Sequence, residues 1–541
     1  MGISASATIA EEATKALNIG DGGGWRFSGS PWSQDREGVV RPPNESNLHS
    51  RAFHLENACE DLTAEFEFNP SYRENGSGGA GLILRAQDAN HFYAVYFPWC
   101  AQSLRAKNFW ASIVKVDGDG YLRSLKSVWV PGVPSETERW YKVKVVAKGP
   151  HIDVWVDGRK ALGVTDDSYK SGAVGLIGYG WYLFRNFTIQ GPAEALPDWP
   201  EKIDVPTHAF TVGLNSEHPQ YAFVTPNGDV LIASGNQLVR STDRGRTWNS
   251  PEQLPGFLEP TRVMQRAIFC TRDGRVLTQI WHEQRANPQD GSGPEIFYSE
   301  STDNGLTWSE LKPAEVESGW PSVPEDIGGY NSAPVQTDDG TWVQFCGGSM
   351  LKERAGNIVT WGGAAHYKAF ATRSTNQGKT WSKPIEIDQP YFWNQPRRTI
   401  PGAQDFTEPC GLALGNRVMA IVRPVYSPYM WQCWSHDAGA TWDSAARTTF
   451  TGYGGGVLVK TQNGTILCGH RMPHYSINLS SDDGLNWDEG TIIDYPNWAM
   501  GAMVEVEPNI VLCTYMNAIR SNPLLAQFVR VHPDRIEPVT P

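Results

Sequence analysis

Short runs of alternating apolar and polar residues fill the first third of the chain. Apolar side chains recur at every second position in these runs, which is the period of a β-strand with one buried face. An Asp-Gly pair at 157–158 follows one run and precedes another, and this pair favours a hairpin turn. The pattern predicts antiparallel strands in the runs LTAEFEF (62–68), AGLILRA (80–86), HFYAVYF (91–97), WYKVKVVA (140–147), HIDVWVDG (151–158) and GAVGLIGYG (172–180).

A stretch rich in proline and acidic residues, QGPAEALPDWPEKIDVP (190–206), ends this region. Such a composition is typical of a linker between domains. We therefore divide the chain into a first domain of residues 1–191, a linker of residues 192–207 and a second domain of residues 208–541.

One phrase, S-x-[DN]-x-G-x-x-W, recurs five times after the linker, at intervals of 45 to 73 residues. This spacing fits a four-stranded propeller blade with its loops. Each copy follows an apolar run, so it lies on a hairpin: the Asp or Asn oxygen accepts backbone N–H bonds, and Gly takes a positive φ. The copies stand at 241–248, 301–308, 374–381, 435–442 and 480–487.

The number of copies of the phrase indicates the number of blades. Five blades carry the phrase, and the remaining segment 498–533 supplies a sixth without it, while residues 209–214 can close the ring. The phrase is the Asp-box, and the second domain resembles the sialidase-type β-propellers. The first domain resembles the laminin-G/concanavalin-like jelly-roll sandwiches that are attached to many carbohydrate-active enzymes. The predicted fold is all-β, with a jelly-roll β-sandwich followed by a six-bladed β-propeller.

Composition narrows the possible partners. The net charge is −13, and the chain has no Lys/Arg cluster of five or more residues, so nucleic acid is a poor candidate partner. No apolar run reaches the roughly 18 residues of a membrane span. The N-terminus has no leader pattern, which predicts a cytoplasmic protein as the sequence is written, or a secreted or periplasmic one if a leader was removed.

The eight cysteines are spaced singly, without a CxxC pair, so we interpret them as buried thiols, with a disulfide left open. No EF-hand or H-E-x-x-H spacing occurs. We predict no cofactor and no metal ligands, and a structural or substrate-bridging divalent cation stays open.

Candidate site residues follow from propeller geometry, in which inner strands begin at the mouth of the channel and second strands end there. Charged and imidazole groups are costly in a β core, so their convergence on one rim indicates a polar site, whereas the alternative is ion pairing between neighbouring blades. The inner-strand starts give Glu217, His218, Arg266, Tyr330, Asn331, Glu408 and Tyr453, and the second-strand ends give His282, Glu283, Arg423, His470, Arg471 and Tyr515.

Roles for four of these residues come from the resemblance. The segment TEPCGLALGNRVMAIVR (407–423) is similar to a sialidase pattern, which implies that Glu408 polarises a nucleophilic tyrosine. By the same resemblance Arg423 and Arg471 bind a carboxylate, and Tyr515 is the nucleophile. A neutral nucleophile suits an anomeric carbon that bears a carboxylate, because it avoids repulsion between two anions.

Two departures from the sialidase pattern concern the first blade. His218 stands where the family has the arginine of an R-I-P motif, and the usual acid/base aspartate is missing. His218, Glu283 or Asp290 are the replacements that the sequence offers as proton donor. Arg266, His282, Glu283, Tyr330 and Asn331 remain as substrate-binding candidates.

The leading hypothesis is an exo-acting glycoside hydrolase that removes a terminal acidic sugar from a glycan. One alternative is a polysaccharide lyase acting on a uronic acid, with His218 or Tyr515 as the base. Another is a propeller that binds glycan or protein without catalysis.

Overall fold

The computed structural model divides the chain into two compact units, residues 1–206 and 207–541. Each unit has its own hydrophobic core. The structure describes residues 14–20, 23–43, 50–70, 78–99, 109–136, 138–178, 182–192, 196, 199, 203–217, 220–254, 264–282, 295–319, 327–328, 333–350, 366–387, 406–424, 429–452, 456–471, 474–494, 501–516 and 523–541.

The first unit is built from antiparallel strands. They are β1 (Lys15–Ala16), β2 (Trp25–Ser28), β3 (Ser33–Gln34), β4 (Val40–Arg41), β5 (Ser50–Cys59), β6 (Leu62–Pro70), β7 (Gly78–Asp88), β8 (His91–Trp99), β9 (Phe109–Asp117), β10 (Leu122–Val130), β11 (Tyr141–Lys148), β12 (His151–Val156), β13 (Arg159–Thr165), β14 (Gly172–Gly178) and β15 (Tyr182–Gln190).

These strands form two sheets that share one core. One sheet runs β13-β12-β11-β6-β15-β4-β3, with β1 paired to β15, and the other runs β2-β5-β14-β7-β8-β9-β10. Along β11 buried and exposed residues alternate, as the sequence pattern predicts. The arrangement is a β-sandwich, and its core includes Ala64, Phe66, Phe68, Leu82, Leu84, Val143 and Val145.

The described residues of the predicted linker make contacts with the sandwich. The backbone N–H of Leu196 donates to the carbonyl of Leu55 at 3.1 Å. The Trp199 ring lies 4.9 Å from that of Phe53, measured between centroids. The Asn90 amide donates to the carbonyl of Asp204 at 3.1 Å. This segment therefore belongs to the first unit.

The second unit is also built from strands. They are β16 (Phe210–Thr211), β17 (Gln220–Val224), β18 (Val230–Ser234), β19 (Gln237–Ser241), β20 (Glu252–Gln253), β21 (Met264–Cys270), β22 (Val276–His282), β23 (Glu295–Ser301), β24 (Lys312–Pro313), β25 (Glu315–Val316), β26 (Ile327–Gly328), β27 (Val335–Gln336), β28 (Trp342–Met350), β29 (His366–Ser374), β30 (Thr380–Trp381), β31 (Ile385–Glu386), β32 (Phe406–Leu414), β33 (Arg417–Pro424), β34 (Tyr429–Ser435), β35 (Ala446–Thr451), β36 (Val457–Lys460), β37 (Ile466–Arg471), β38 (Tyr475–Ser480), β39 (Thr491–Asp494), β40 (Met503–Glu507), β41 (Ile510–Tyr515), β42 (Leu525–Val531) and β43 (Ile536–Val539).

Consecutive strands of this unit pair into small antiparallel sheets, which is the organisation of propeller blades. Five such sheets are β17-β18-β19-β20, β21-β22-β23-β24, β26-β28-β29-β31 with β27 on β28, β32-β33-β34-β35, and β16-β42-β41-β40 with β43 on β42. Strands β36 to β39 pair in succession as well. The chain is thus all-β with a propeller arrangement, and the count of six blades stays a prediction.

The Asp-box turns have the predicted hydrogen bonds. In the first copy, Oδ1 of Asp243 accepts from the backbone N–H of Thr247 at 2.8 Å and of Arg246 at 3.1 Å. Its Oδ2 accepts from the Thr247 hydroxyl at 2.6 Å. In the third copy, the amide oxygen of Asn376 accepts from the N–H of Thr380 at 2.9 Å, so Asn replaces Asp without loss of the turn.

Two Asp-box glycines lie directly against the preceding sheet. Gly439 and Gly484 have φ values of 82° and 84°, in the left-handed region that favours glycine. A Cβ atom added to Gly439 would lie 2.8 Å from Cγ2 of Val343, and one added to Gly484 would lie 2.5 Å from Sδ of Met419. The turns therefore both close their own hairpins and pack neighbouring sheets together.

The part of the chain that the structure describes contains no helix long and apolar enough to cross a membrane. Of the cysteines in that part, Cys270 is half-buried, and Cys59, Cys346, Cys410, Cys433, Cys468 and Cys513 are buried.

Candidate active site

Among the predicted site residues, the structure describes the side chains of Glu217, Glu408, Arg423, His470, Arg471 and Tyr515. Arg266 and His282 lie in β21 and β22, where Arg266 pairs with Ile280 and His282 with Met264. The predicted residues His218, Glu283, Tyr330, Asn331 and Tyr453 lie outside the described residues, as does Asp290.

Glu408 lies at an irregularity near the start of β32. Thr407 pairs with Arg423, but the next pairing is Cys410 with Ile421, so the register shifts at this point. Glu408 has a φ of 48°, a left-handed conformation that is uncommon for a non-glycine residue and costs about 1–3 kcal/mol. Strained backbone of this kind is concentrated at functional sites, and a bulge re-aims its side chain.

Two guanidinium groups approach the buried Glu408 carboxylate. Nη1 of Arg423 donates to Oε1 of Glu408 at 2.5 Å, and Nη2 of Arg471 lies 3.9 Å from the same oxygen. Arg423 is fully buried, whereas the Arg471 side chain is 14% exposed. Two guanidinium groups thus lie around one carboxylate oxygen, and a guanidinium group is a donor that suits a carboxylate ligand.

The Tyr515 hydroxyl group is held by two partners from neighbouring strands. It donates to Oδ2 of Asp494 at 2.5 Å and accepts from Nε2 of Gln527 at 2.8 Å. The same Gln527 nitrogen lies 3.3 Å from the Ile493 carbonyl oxygen, which anchors the amide. Tyr515 is fully buried.

Tyr475 lies next to both Arg471 and Tyr515. It is the first residue of β38 and pairs with Arg471 on one side and with Asp494 on the other. Its ring centroid lies 4.8 Å from that of Tyr515. The ends of several strands thus bring Glu408, Arg423, Arg471, Tyr475, Asp494 and Tyr515 into one region.

A second network of hydrogen bonds begins at the buried His470, next to Arg471. Nε2 of His470 lies 2.6 Å from Oδ1 of Asn478, and Nδ2 of Asn478 donates to the Asp488 carbonyl at 2.8 Å. Oδ1 of Asp488 accepts from the N–H of Leu479 at 2.7 Å. Burial lowers the pKa of His470 to about 4 and raises the pKa of Asp488 to about 6. Successive residues of a strand face opposite sides, so the His470 side chain and its network point away from Arg471.

The sequence analysis assigned the tyrosine's carboxylate partner to Glu408. In the structure the carboxylate that accepts the Tyr515 proton is Asp494, and Glu408 accepts from Arg423. Sequence reasoning missed Asp494, Tyr475 and Gln527 because they belong to no motif. One signal was available: Asp494 is the last residue of β39 and directly follows the two apolar residues Ile492 and Ile493.

The described residues contain no group of three or more His, Cys, Asp or Glu side chains that could hold a metal ion. The described side chains around Glu408 are guanidinium, carboxyl and phenol groups.

Comparison with protein families gives two matches. Residues 210–394 and 287–497 match the model of the BNR repeat-like domain, and together these stretches cover more than half of the chain. Residues 13–190 match the 3-keto-alpha-glucoside-1,2-lyase-like domain. The two family resemblances drawn from the sequence, one from the repeated phrase and one from the β-rich first domain, agree with these matches.

Among curated proteins, a xyloglucanase of Hypocrea jecorina (strain QM6a) is 26% identical over 242 residues. That alignment covers 43% of this chain, and the chain spans only 26% of the length of that relative.

Similar solved structures have low sequence identity. The leech intramolecular trans-sialidase is 11% identical, with coverage of 93% of this chain and 98% of that chain and a TM-score of 0.42. The NanB sialidase of Streptococcus pneumoniae is 12% identical, with coverage of 90% and 98% and a TM-score of 0.41. An α-L-arabinanase of Penicillium chrysogenum is 14% identical, with coverage of 60% and 98% and a TM-score of 0.40.

Proposed function

We propose that this chain, which belongs to the family of BNR repeat-like domains, is a glycoside hydrolase that releases a terminal acidic sugar from a glycan. The observation that supports this proposal is the buried carboxylate of Glu408 between the guanidinium groups of Arg423 and Arg471. The relative named as a xyloglucanase supports action on a glycan, although its match covers only part of each chain.

The chemistry of the site fits this reaction. Arg423 and Arg471 offer planar donors that suit a carboxylate, so the sugar's own acid group would orient the ring. Tyr515 would attack the anomeric carbon as a neutral nucleophile, which avoids repulsion by that acid group. We propose that Arg266, His282, Glu283, Tyr330 and Asn331 complete the binding surface.

The proton donor for the leaving group remains a proposal from the sequence. His218, Glu283 and Asp290 are its candidates, and all three lie outside the described residues. Replacing each by a neutral isostere would identify the donor, because cleavage of poor leaving groups would fall most in the variant that lacks it.

We further propose that strands β36 to β39 form a sixth blade. Strand β36 contacts β32 on one side and β40 on the other. The Trp487 indole N–H donates to the side-chain oxygen of Gln432 in the preceding sheet at 3.0 Å. On the opposite side, the N–H of Asn463 donates to the side-chain oxygen of Asn509 at 2.9 Å. A ring of six blades would place Glu408, Arg423, Arg471 and Tyr515 at its axis.

The experiment is an incubation with 4-nitrophenyl glycosides of acidic and neutral sugars, read by release of nitrophenol. We expect cleavage of an acidic glycoside, and we expect Tyr515→Phe to lower kcat by at least ~10³-fold because the nucleophile is lost. Tyr221→Phe is the matched control, since Tyr221 is a buried tyrosine of β17. Equal activity of Tyr515→Phe and the wild type would contradict the proposed nucleophile.

A lyase is the second candidate function, and the match of residues 13–190 to the 3-keto-alpha-glucoside-1,2-lyase-like domain favours it. Elimination produces an unsaturated sugar that absorbs in the ultraviolet, whereas hydrolysis does not. Binding of glycans without any product would instead indicate a propeller without catalysis.

A further inference from the structure

We propose that Asp494 is the general base that activates Tyr515, and that Glu408 positions the two arginines instead. This assignment rests on the proposed function, in which Tyr515 is the nucleophile. It names a residue that no motif of the sequence contains.

The hydrogen-bond geometry fixes the direction of the Tyr515 proton. A phenol has a single proton, and here it is donated to Oδ2 of Asp494 across 2.5 Å. The Gln527 amide donates to the phenol oxygen from another strand at 2.8 Å, and so it holds the oxygen while the proton points to Asp494. A nucleophile hydrogen-bonded to a base that is itself held in place is the arrangement required for activation.

Burial makes a base necessary. Tyr515 is fully buried, and an isolated phenolate in such surroundings is costly. Attack is therefore favourable only if the proton moves to a carboxylate while the new bond forms. Asp494 is in contact with the phenol, whereas the Glu408 carboxylate is offset by Arg423 at 2.5 Å, which weakens its attraction for a proton.

The proposed step balances as follows. The Tyr515 oxygen bonds to the anomeric carbon, its proton passes to Oδ2 of Asp494, and the glycosidic carbon–oxygen bond breaks. The acid of the proposed function protonates the departing oxygen. Its conjugate base then takes a proton from a water molecule, whose oxygen bonds to the anomeric carbon while the Tyr515 oxygen leaves and regains its proton from Asp494. The net reaction consumes one water and leaves the enzyme unchanged.

Glu408 has a separate task in this assignment. Its carboxylate lies between a guanidinium group of β33 and one at the end of β37, at 2.5 Å and 3.9 Å. It keeps both groups in place before the sugar carboxylate arrives. Glu408→Gln should therefore raise KM for an acidic glycoside more than it lowers kcat.

The test compares Asp494→Asn with the wild type on the glycoside found to be cleaved. We expect kcat to fall by about 10²–10⁴-fold with little change in KM, and the acidic limb of the kcat–pH profile to disappear. Asp166→Asn is the matched control, because Asp166 accepts a hydrogen bond from the buried Tyr93 in the first unit. It should leave both kcat and the profile unchanged.

Chemical rescue separates a base from a structural support. In Asp494→Ala, added formate should restore part of kcat because it fills the cavity with a carboxylate, whereas Asp166→Ala should not respond. If Asp494→Asn unfolds at the assay temperature, Asp494→Glu carries the test and should keep activity within about tenfold.

The outcomes distinguish the two proposals. An inactive Tyr515→Phe together with a fully active Asp494→Asn, or an Asp494→Ala that formate does not rescue, overturns the assignment of Asp494 and leaves the hydrolase intact. A wild-type chain that cleaves no glycoside, or a Tyr515→Phe variant with full activity, overturns the proposed function and the base assignment with it.

Discussion

At the scale of single residues, the ion pair between Glu408 and Arg423 is buried, so breaking it should destabilise the fold. Arg423→Met would leave a buried carboxylate without its nearest guanidinium, so we expect a loss of about 3–5 kcal/mol in the free energy of unfolding. Urea denaturation measures this loss. The double variant Glu408→Gln/Arg423→Met removes the charge as well and should recover part of it. An equally unstable double variant would contradict this account.

The hydrogen-bond network from His470 to Asp488 contains two groups whose titrations change stability in opposite directions. Their effects therefore offset each other in the wild type. Burial raises the pKa of Asp488 from 3.8 to about 6, so its contribution is full below pH 3.8 and is lost as the pH rises to 6. Burial lowers the pKa of His470 from 6.5 to about 4, so its contribution is full above pH 6.5 and is lost as the pH falls to 4. The two trends oppose each other.

Single variants should expose each trend. Of these two groups only Asp488 remains in His470→Gln, so its contribution to the free energy of unfolding should fall by about 2–3 kcal/mol from pH 4 to pH 6. Only His470 remains in Asp488→Asn, so its contribution should rise by a similar amount from pH 4 to pH 6.5. Urea titrations at several pH values measure both slopes, and parallel slopes in the two variants would refute the pairing.

At the scale of elements, the Asp-box turn is a local unit whose energy can be tested. Asp243→Ala removes the acceptor for two backbone N–H groups and two hydroxyl groups, and we expect a loss of about 1–3 kcal/mol. Asp243→Asn should lose less, because Asn376 makes the same turn in the third copy. Thermal unfolding compares the two variants, and a more harmful Asn than Ala would be inconsistent with the hydrogen bonds seen.

The same turn explains what could be predicted from the sequence. Its bonds join residues that lie three or four positions apart, so the repeated phrase alone indicates the hairpins. The alternation of WYKVKVVA likewise indicates β11 without any knowledge of its partners. Contacts between residues a few positions apart can therefore be predicted from a short stretch of sequence.

The candidate site was predictable only in part, for a physical reason. Glu408, Arg423, Arg471 and Tyr515 could be selected because a motif or a strand end marks each of them. The acceptor of the Tyr515 proton depends on which strands become neighbours: Asp494 lies 21 positions earlier in the chain, and Gln527 lies 12 positions later. The left-handed conformation of Glu408 also depends on the pairing of β32 with β33.

At the scale of the whole molecule, the linker segment predicts where a stable fragment ends. Residues 1–206 contain the sandwich together with Leu196, Trp199 and Asp204, whose contacts with it are described above. We expect a fragment of residues 1–206 to melt at a higher temperature than one of residues 1–191, because the shorter fragment exposes the Phe53 ring. Circular dichroism of the two fragments measures the difference. Equal melting temperatures would show that the segment contributes nothing.

The positions of Gly439 and Gly484 have a consequence for how such a ring can change during evolution. Because each of these turns fills a space on the sheet before it, a hairpin lost from one sheet would uncover its predecessor. Gains and losses are then tolerated only when a sheet is copied or removed together with the turn that seals its neighbour. The unit that is duplicated or lost therefore consists of one sheet and the Asp-box turn of the next sheet that packs against it. Propellers with more or fewer sheets should differ by whole copies of this unit.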